Sequence, residues 1–291
     1  MDKLIHTFSI VAYDPRKSEW GVAVQSKFLA AAAVVSWAKA NAGAVATQSY
    51  ANVTYGFRGL DLMQDGLSAE DTIQLLIEND ENKDQRQVGV VDQAGKAASF
   101  TGDECHEWAG HIVGEGFACQ GNILVPGTVE AMAEKFEKAR QGEGELADWL
   151  VAALEAGQEA GGDKRGRQAA GLLVVREGGG YGGDNDRYLD LRVDDHPYPI
   201  LKLKQLTENH HLYFGEVDPD DLVSLASVTR ELQGIMKKTG HYKDEITGLV
   251  TDGTITSLKA IVGEENLEER WNGDENMIDT KVVDYLREKF S

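Results

Sequence analysis

The order in which strand-like and helix-like stretches follow one another constrains this chain more than any single motif. Apolar runs at Leu4 to Tyr13, Trp20 to Gln25 and Gly43 to Gln48 come first, and the turn Asp14-Pro15-Arg16-Lys17 joins the first two as a hairpin. Two helical stretches follow, Tyr55 to Gln64 and Ser68 to Glu78. Ser68 reads as an N-cap, with Asp71 three residues on and Ile73, Leu76 and Ile77 on one face. A hairpin then pairs Gln87 to Asp92 with Lys96 to Thr101, and one strand is predicted over His111 to Ala118. Helices are expected at Thr128 to Arg140 and Glu145 to Glu159, strands at Ala169 to Arg176 and Tyr188 to Val193, and a helix from Pro199 to Leu206. Blocks of strands separated by pairs of helices imply antiparallel sheets with segregated helices, not a parallel βαβ sheet. The layered solution is an α+β fold, a four-layer α-β-β-α sandwich of two antiparallel sheets.

The pattern changes after about Asn209. Residues 1–208 are assigned to the sandwich, the acidic, proline-containing stretch 209–221 to a linker, and 222–291 to a small all-α domain. In that domain Leu225, Val228, Leu232, Ile235 and Met236 recur at helical spacing, Thr251 to Thr254 opens a second helix, and Val282 to Phe290 forms a third.

Charge narrows the partners. With 29 basic and 49 acidic residues the net charge is −20, spread along the chain, which argues against duplex nucleic acid and anionic membranes as partners. No apolar stretch approaches the roughly 20 residues of a bilayer span, and Met1 to His6 does not read as a signal peptide, so a cytoplasmic location is expected. Cys105 and Cys119 read as buried thiols, not as a disulfide framework. His106 and His111 with Asp103 and Glu104 could form a metal site, but exposed loop histidines are commoner, and neither metal nor cofactor is expected. The glycines of 178–183 precede a strand, where they cannot cradle a phosphate at a helix N-terminus.

Chemistry points to the first strand. Thr7 and Ser9 are two residues apart and share one face of the pleat. A hydroxyl attacks well only when a base takes its proton. Two bases are available: the α-amine of Thr7 were it the first residue, with an amine pKa near about 7.7–8.0, or Lys27 at the end of the next strand, lowered by desolvation. Both hydroxyls are equally compatible with ordinary strand positions and Lys27 with a solvated one.

Several segments together carry a resemblance. They are Thr7-Phe8-Ser9-Ile10-Val11-Ala12, Gly21 to Lys27, Gly43 to Gln48 with Asn52 and Tyr55-Gly56, Arg86-Gln87, Thr101-Gly102, Gln120-Gly121-Asn122, Ala160 to Gly166 and Asp190 to His196. Over roughly Leu4 to Leu206 the chain resembles a bacterial family catalogued as a domain of unknown function (number 1028), with an N-terminal-nucleophile (Ntn) hydrolase-like fold. The resemblance implies Thr7 as nucleophile with its own amine as base, and Lys27 beside it. Thr47-Gln48 or Gln120-Gly121-Asn122 would supply oxyanion donors, with Asn52 among the substrate contacts. Asp163 and Arg165 would orient the substrate, or simply form an exposed ion pair in a glycine-rich turn. Val228 to Ile261, with Leu232-Gln233, Gly240-His241-Tyr242 and Asp252-Gly253, resembles a peptidoglycan-binding-like helical domain.

Six residues precede Thr7, and in an uncut chain its nitrogen is an amide that cannot act as a base. The chain is therefore a precursor, or uses Lys27 as base for Thr7 or Ser9, or is not catalytic. Two readings follow. One is a hydrolase of amide bonds in small peptides or cell-wall-derived muropeptides. The other is a non-catalytic binding protein using the same cleft, with the C-terminal domain serving glycan binding or dimerisation. Either takes a small-molecule or peptide ligand, and a homo-oligomer is expected. A Lys27 ammonium within about 2.6–3.2 Å of either hydroxyl would favour catalysis.

Overall fold

A computed structural model describes residues 4–5 and 7–290. The chain divides into two compact units between Thr207 and Glu208.

The first unit contains β1 (Leu4–Ile5), β2 (Thr7–Asp14), β3 (Glu19–Ser26), α1 (Ala32–Val35), β4 (Ser36–Lys39), β5 (Gly43–Tyr50), α2 (Thr54–Gln64) and α3 (Ala69–Glu78). These are followed by β6 (Arg86–Asp92), β7 (Ala97–Thr101), β8 (Gly110–Gly114), β9 (Phe117–Gly121), α4 (Thr128–Ala139), α5 (Leu146–Glu159), β10 (Ala169–Val175), β11 (Arg187–Val193) and the first part of α6 (Pro199–Phe214), within which the unit ends. One sheet runs β1-β5-β6-β7, with β4 also paired to β5; the other runs β11-β10-β3-β2-β9-β8. Every pairing is antiparallel. Helices α2 and α3 cover the first sheet, and α4 and α5 cover the second. The result is the four-layer α-β-β-α sandwich.

Both faces of the central strands are buried, so their residues do not alternate between apolar and polar as a half-exposed strand would. Along β2, Phe8, Ile10 and Ala12 join the core beneath α4 and α5, whereas Val11 joins the layer between the sheets. That inter-sheet layer also holds Val22 and Val24 of β3, Ala44 and Ala46 of β5, Val91 of β6 and Ala118 of β9. A third cluster, with Val45, Val88, Met63 and Leu76, packs the first sheet against α2 and α3. Ser68 caps α3 as its spacing predicts, its side chain accepting from the Asp71 N–H.

Three stretches differ from their sequence reading. The predicted strand over 111–118 is a hairpin, β8 and β9, because Gly116 takes φ +75° and turns the chain between two runs of apolar residues. The alanine-rich stretch after Phe28 forms the short helix α1 and the edge strand β4, which no periodicity announces. Helix α6 runs on to Phe214, so residues placed in a linker are helical up to that point, and Pro219–Asp221 forms a 3₁₀ turn.

The second unit contains β12 (Leu222–Ser224), α7 (Leu225–Lys238), α8 (Asp252–Glu264), β13 (Met277–Asp279) and α9 (Thr280–Phe290). The Thr251 hydroxyl accepts from the Thr254 N–H at the start of α8. Leu232, Met236, Leu258, Ile261, Ile278, Val282 and Leu286 build its core. A buried Arg270–Asp279 ion pair at 3.0 Å ties the loop before β13 to that strand, and Arg270 also donates to the Glu216 carbonyl. Among the described residues, no helix is long and apolar enough to cross a membrane.

Candidate functional site

The inter-sheet layer is apolar at one end and polar at the other. Alternation along β2 continues the face of Val11 to Ser9 and Thr7, and both side chains are fully buried. On the facing sheet the same alternation puts Gln48 of β5 and Gln87 of β6 into this layer, and beside β2 in its own sheet it adds Gln120 of β9 and Asn122 just past the end of β9. All four are buried.

These side chains satisfy one another. Ser9 Oγ donates to Gln48 Oε1 at 2.6 Å and accepts from Gln120 Nε2 at 2.7 Å. Gln48 Nε2 donates to Gln87 Oε1 at 2.8 Å, and Asn122 Nδ2 donates to the same oxygen at 3.0 Å. Gln87 Nε2 reaches the Gly121 carbonyl at 2.8 Å and Thr101 Oγ1 at 3.0 Å, and Thr101 meets His111 Nδ1 at 2.9 Å. A chain of amides thus crosses from one sheet to the other. Gly89 makes room for it, since a β-carbon there would lie 2.0 Å from Gln120 Oε1.

Thr7 sits at the rim of this network but is not part of its side-chain bonding. Its carbonyl accepts from the Asn122 N–H at 3.0 Å and from Gln48 Nε2 at 3.4 Å. Its hydroxyl, like Asn122 Oδ1, is buried with no hydrogen-bond partner among the described residues. Such a group costs about 1–3 kcal/mol of unrecovered desolvation.

Lys27 is not a base for either hydroxyl here. Its side chain is exposed and Nζ donates to the Arg167 carbonyl at 3.2 Å, while Ser9 is already bonded to two amides. The reason is local: Ser26 is the residue across from Thr7, and at Lys27 the chain leaves the sheet. What points inward at Lys27 is its backbone N–H, which donates to Asp163 Oδ2 at 3.0 Å. The Asp163 carboxylate, fully buried, also takes the Arg165 N–H at 2.9 Å and the Arg165 guanidinium at 2.7 Å. Asp163 and Arg165 therefore pin the turn before β10 against the end of β3.

Thr47 and Asn52 fall elsewhere. Alternation on β5 turns Thr47 to the helix-covered face, where its hydroxyl donates to the Asn52 carbonyl at 3.2 Å. Asn52 donates to Asp80, which also holds Tyr55 and Arg86. Burial raises the Asp80 pKa, but the Arg86 guanidinium, Asn52, the Asn82 N–H and Tyr55 outweigh it and hold the carboxyl well below the usual range. Asp103, Glu104, His106 and His111 do not converge: among the described residues no group of three or more His, Cys, Asp or Glu is arranged to hold a metal ion. Cys105 and Cys119 are buried, and burial pushes both thiols up. Residues Met1 to Lys3 and His6, ahead of Thr7, lie outside the described residues.

Gln87 is the member of the network that side-chain chemistry alone did not single out. Its signal is a glutamine at an inward position of an otherwise apolar strand, repeated at Gln48 and Gln120.

Comparison with known proteins follows the two-unit division. Residues 213–286 match a family described as "Putative peptidoglycan binding domain". A crystal structure of protein SPO2555 from Silicibacter pomeroyi is similar to the chain at 30% identity and TM-score 0.64, covering 72% of this chain and 91% of that one. Anbu (ancestral beta-subunit) from Yersinia bercovieri aligns at 12% identity and TM-score 0.33, over 72% of this chain and 98% of that one. No curated protein matches the sequence. Residues 7–203 match the family of unknown function DUF1028, to which the Silicibacter protein is also assigned. Over residues 7–203, then, this chain belongs to the DUF1028 family.

Proposed function

We propose that the first unit is an amide-bond hydrolase of the N-terminal-nucleophile type, with Thr7 as its nucleophile once the His6–Thr7 bond is cut. The observation that carries this reading is the Thr7 hydroxyl, buried and unpartnered at the start of β2 beside a fixed frame of amides. Ser9 is a poor nucleophile by comparison, because its hydroxyl donates to the non-basic Gln48 amide oxygen and its own oxygen accepts from Gln120. With Lys27 out of reach, the base is the amine that cleavage would create.

The steps then balance as follows. The free amine of Thr7 accepts the hydroxyl proton as Oγ1 attacks the carbonyl carbon of the substrate amide. The C–N bond breaks, the departing amine takes that proton, and an ester to Thr7 remains. Water, deprotonated by the same amine, cleaves the ester and restores the hydroxyl. The Asn122 N–H and Gln48 amide on the Thr7 carbonyl hold the nucleophile in place, which is the preorganisation such attack requires. The peptidoglycan-binding family match of the second unit supports cell-wall-derived muropeptides as substrates.

Intact-mass measurement during incubation at neutral pH tests the proposal. The wild-type chain is expected to lose residues 1–6 and then to release primary amine from a panel of small peptides and muropeptides. Thr7→Ala is expected to stay at full mass and release none. An unchanged wild-type mass without amine release would overturn the reading and return the cleft to a binding role.

A further inference from the structure

Beside the start of β2 lies an open hollow of about 460 Å³, lined by Lys27, Arg167 and Tyr198 together with Asp195 and His196. Its relation to the nucleophile is fixed by the sheet: Thr7 pairs with Ser26, and Lys27 is the next residue. Gln168, which follows Arg167, donates its N–H to the Ser26 carbonyl. Both cations of the hollow are exposed in a chain of net charge −20, and neither has a carboxylate partner among the described residues. Lys27 Nζ touches only a carbonyl, and the Arg167 guanidinium lies 5.6 Å from the centre of the Tyr198 ring. The acidic lining residue, Asp195, accepts from the Gln168 side chain at 3.1 Å. His196 is turned by its own bond, its Nδ1 accepting the Tyr198 N–H at 2.9 Å.

We infer that this hollow binds a carboxylate of the substrate, held between the Lys27 ammonium and the Arg167 guanidinium over the Tyr198 ring. The inference rests on the hydrolase reading and adds the substrate class, an acyl group ending in a carboxylate. Two cations against one carboxylate leave the lining at about one positive charge, which suits a singly charged carboxylate better than a phosphate dianion. The guanidinium offers a planar pair of donors matched to a carboxylate, and it lies within cation–π range of the Tyr198 ring. The neighbouring hollow of about 210 Å³ across Arg167 and Tyr198 is bounded by Glu155 and Glu159, which confines the anion to the Lys27 side.

Binding of succinanilate and of neutral butyranilide, equal in chain length, separates the idea from its alternatives. Titration calorimetry on the full chain, wild type and Thr7→Ala, reads binding without chemistry, so it stands even if no hydrolysis is found. Succinanilate is expected to bind in both backgrounds and butyranilide not. Lys27→Ala and Arg167→Ala, both at exposed positions, should each weaken binding by about tenfold, with Arg167→Lys intermediate, and added salt should weaken it further. Equal binding of the two anilides, no binding of succinanilate, insensitivity to both substitutions, or equally strong binding of inorganic phosphate would each overturn the proposal.

Discussion

Thr7 and Ser9 occupy the same face of one strand and the same buried layer, yet their hydroxyls have opposite status. Ser9 joins Gln48 to Gln120, so Ser9→Ala leaves Gln48 Oε1 without its donor and Gln120 Nε2 with only its 3.3 Å bond to the residue 9 carbonyl, and should lower stability by about 1–3 kcal/mol. Thr7→Val removes a hydroxyl without a partner and keeps the shape, so it should be neutral or stabilise by up to about 1 kcal/mol. Urea unfolding of the two variants checks the contrast, and equal destabilisation would mean that the Thr7 hydroxyl is bonded after all. At this scale the sequence was partly readable. The two hydroxyls announced themselves by spacing on β2. Lys27 misled, because a residue one step past a strand end can turn outward and its ammonium follows the chain. Thr47 misled through the parity of the pleat: Gln48 faces the hydroxyls, so its neighbour cannot.

Elements are held to one another by polar anchors at their ends. Asp80 follows α3, and through Asn52, Tyr55 and Arg86 it ties that loop to the start of α2 and the start of β6. Its carboxyl is depressed in the folded chain, so its contribution is complete above the ordinary aspartate pKa of about 4 and is lost as pH falls further, towards the folded value. Wild-type stability should therefore decline below about pH 4 more steeply than that of Asp80→Asn, which has no proton to gain there. Denaturant midpoints collected from about pH 5 to pH 2.5 read the difference in slope, and parallel curves would mean that the anchor does not titrate in this window. Amphipathic α3, α5 and α7 and the long hairpins were legible because burial imposes a period on them. The span from Phe28 to Lys39 was not, since its alanines favour helix while Val34, Val35 and Trp37 favour strand, and packing of this span against the sheets decides. The run 111–118 hid a turn, because apolar character continues on both sides of Gly114-Glu115-Gly116.

The whole molecule carries its acidic excess on its surface, with strong pairs kept inside. Arg270–Asp279 is buried and Arg86–Asp80 partly so, and salt screens them less than exposed pairs. Repulsion among exposed carboxylates is screened readily, so raising NaCl from about 20 to about 200 mM should raise the thermal midpoint. A lower midpoint in scanning calorimetry would show that surface pairs such as Arg287–Glu231 matter more than repulsion. Block order was enough to give the layered architecture, because antiparallel sheets and paired helices leave few other ways to bury every apolar face. It could not give the amide network, which depends on which strands of the two sheets lie opposite one another.

The two ends of the inter-sheet layer differ in how they can change over generations. Valines and alanines at one end can be exchanged for others of similar volume, since dispersion has no direction. At the other end each glutamine answers to several partners at fixed angles, and replacing any one strands others. Drift can remodel the first end freely, whereas the second can alter only by several substitutions at once. The geometry around Thr7 is in this way insulated from the sequence wandering that the rest of the sandwich tolerates.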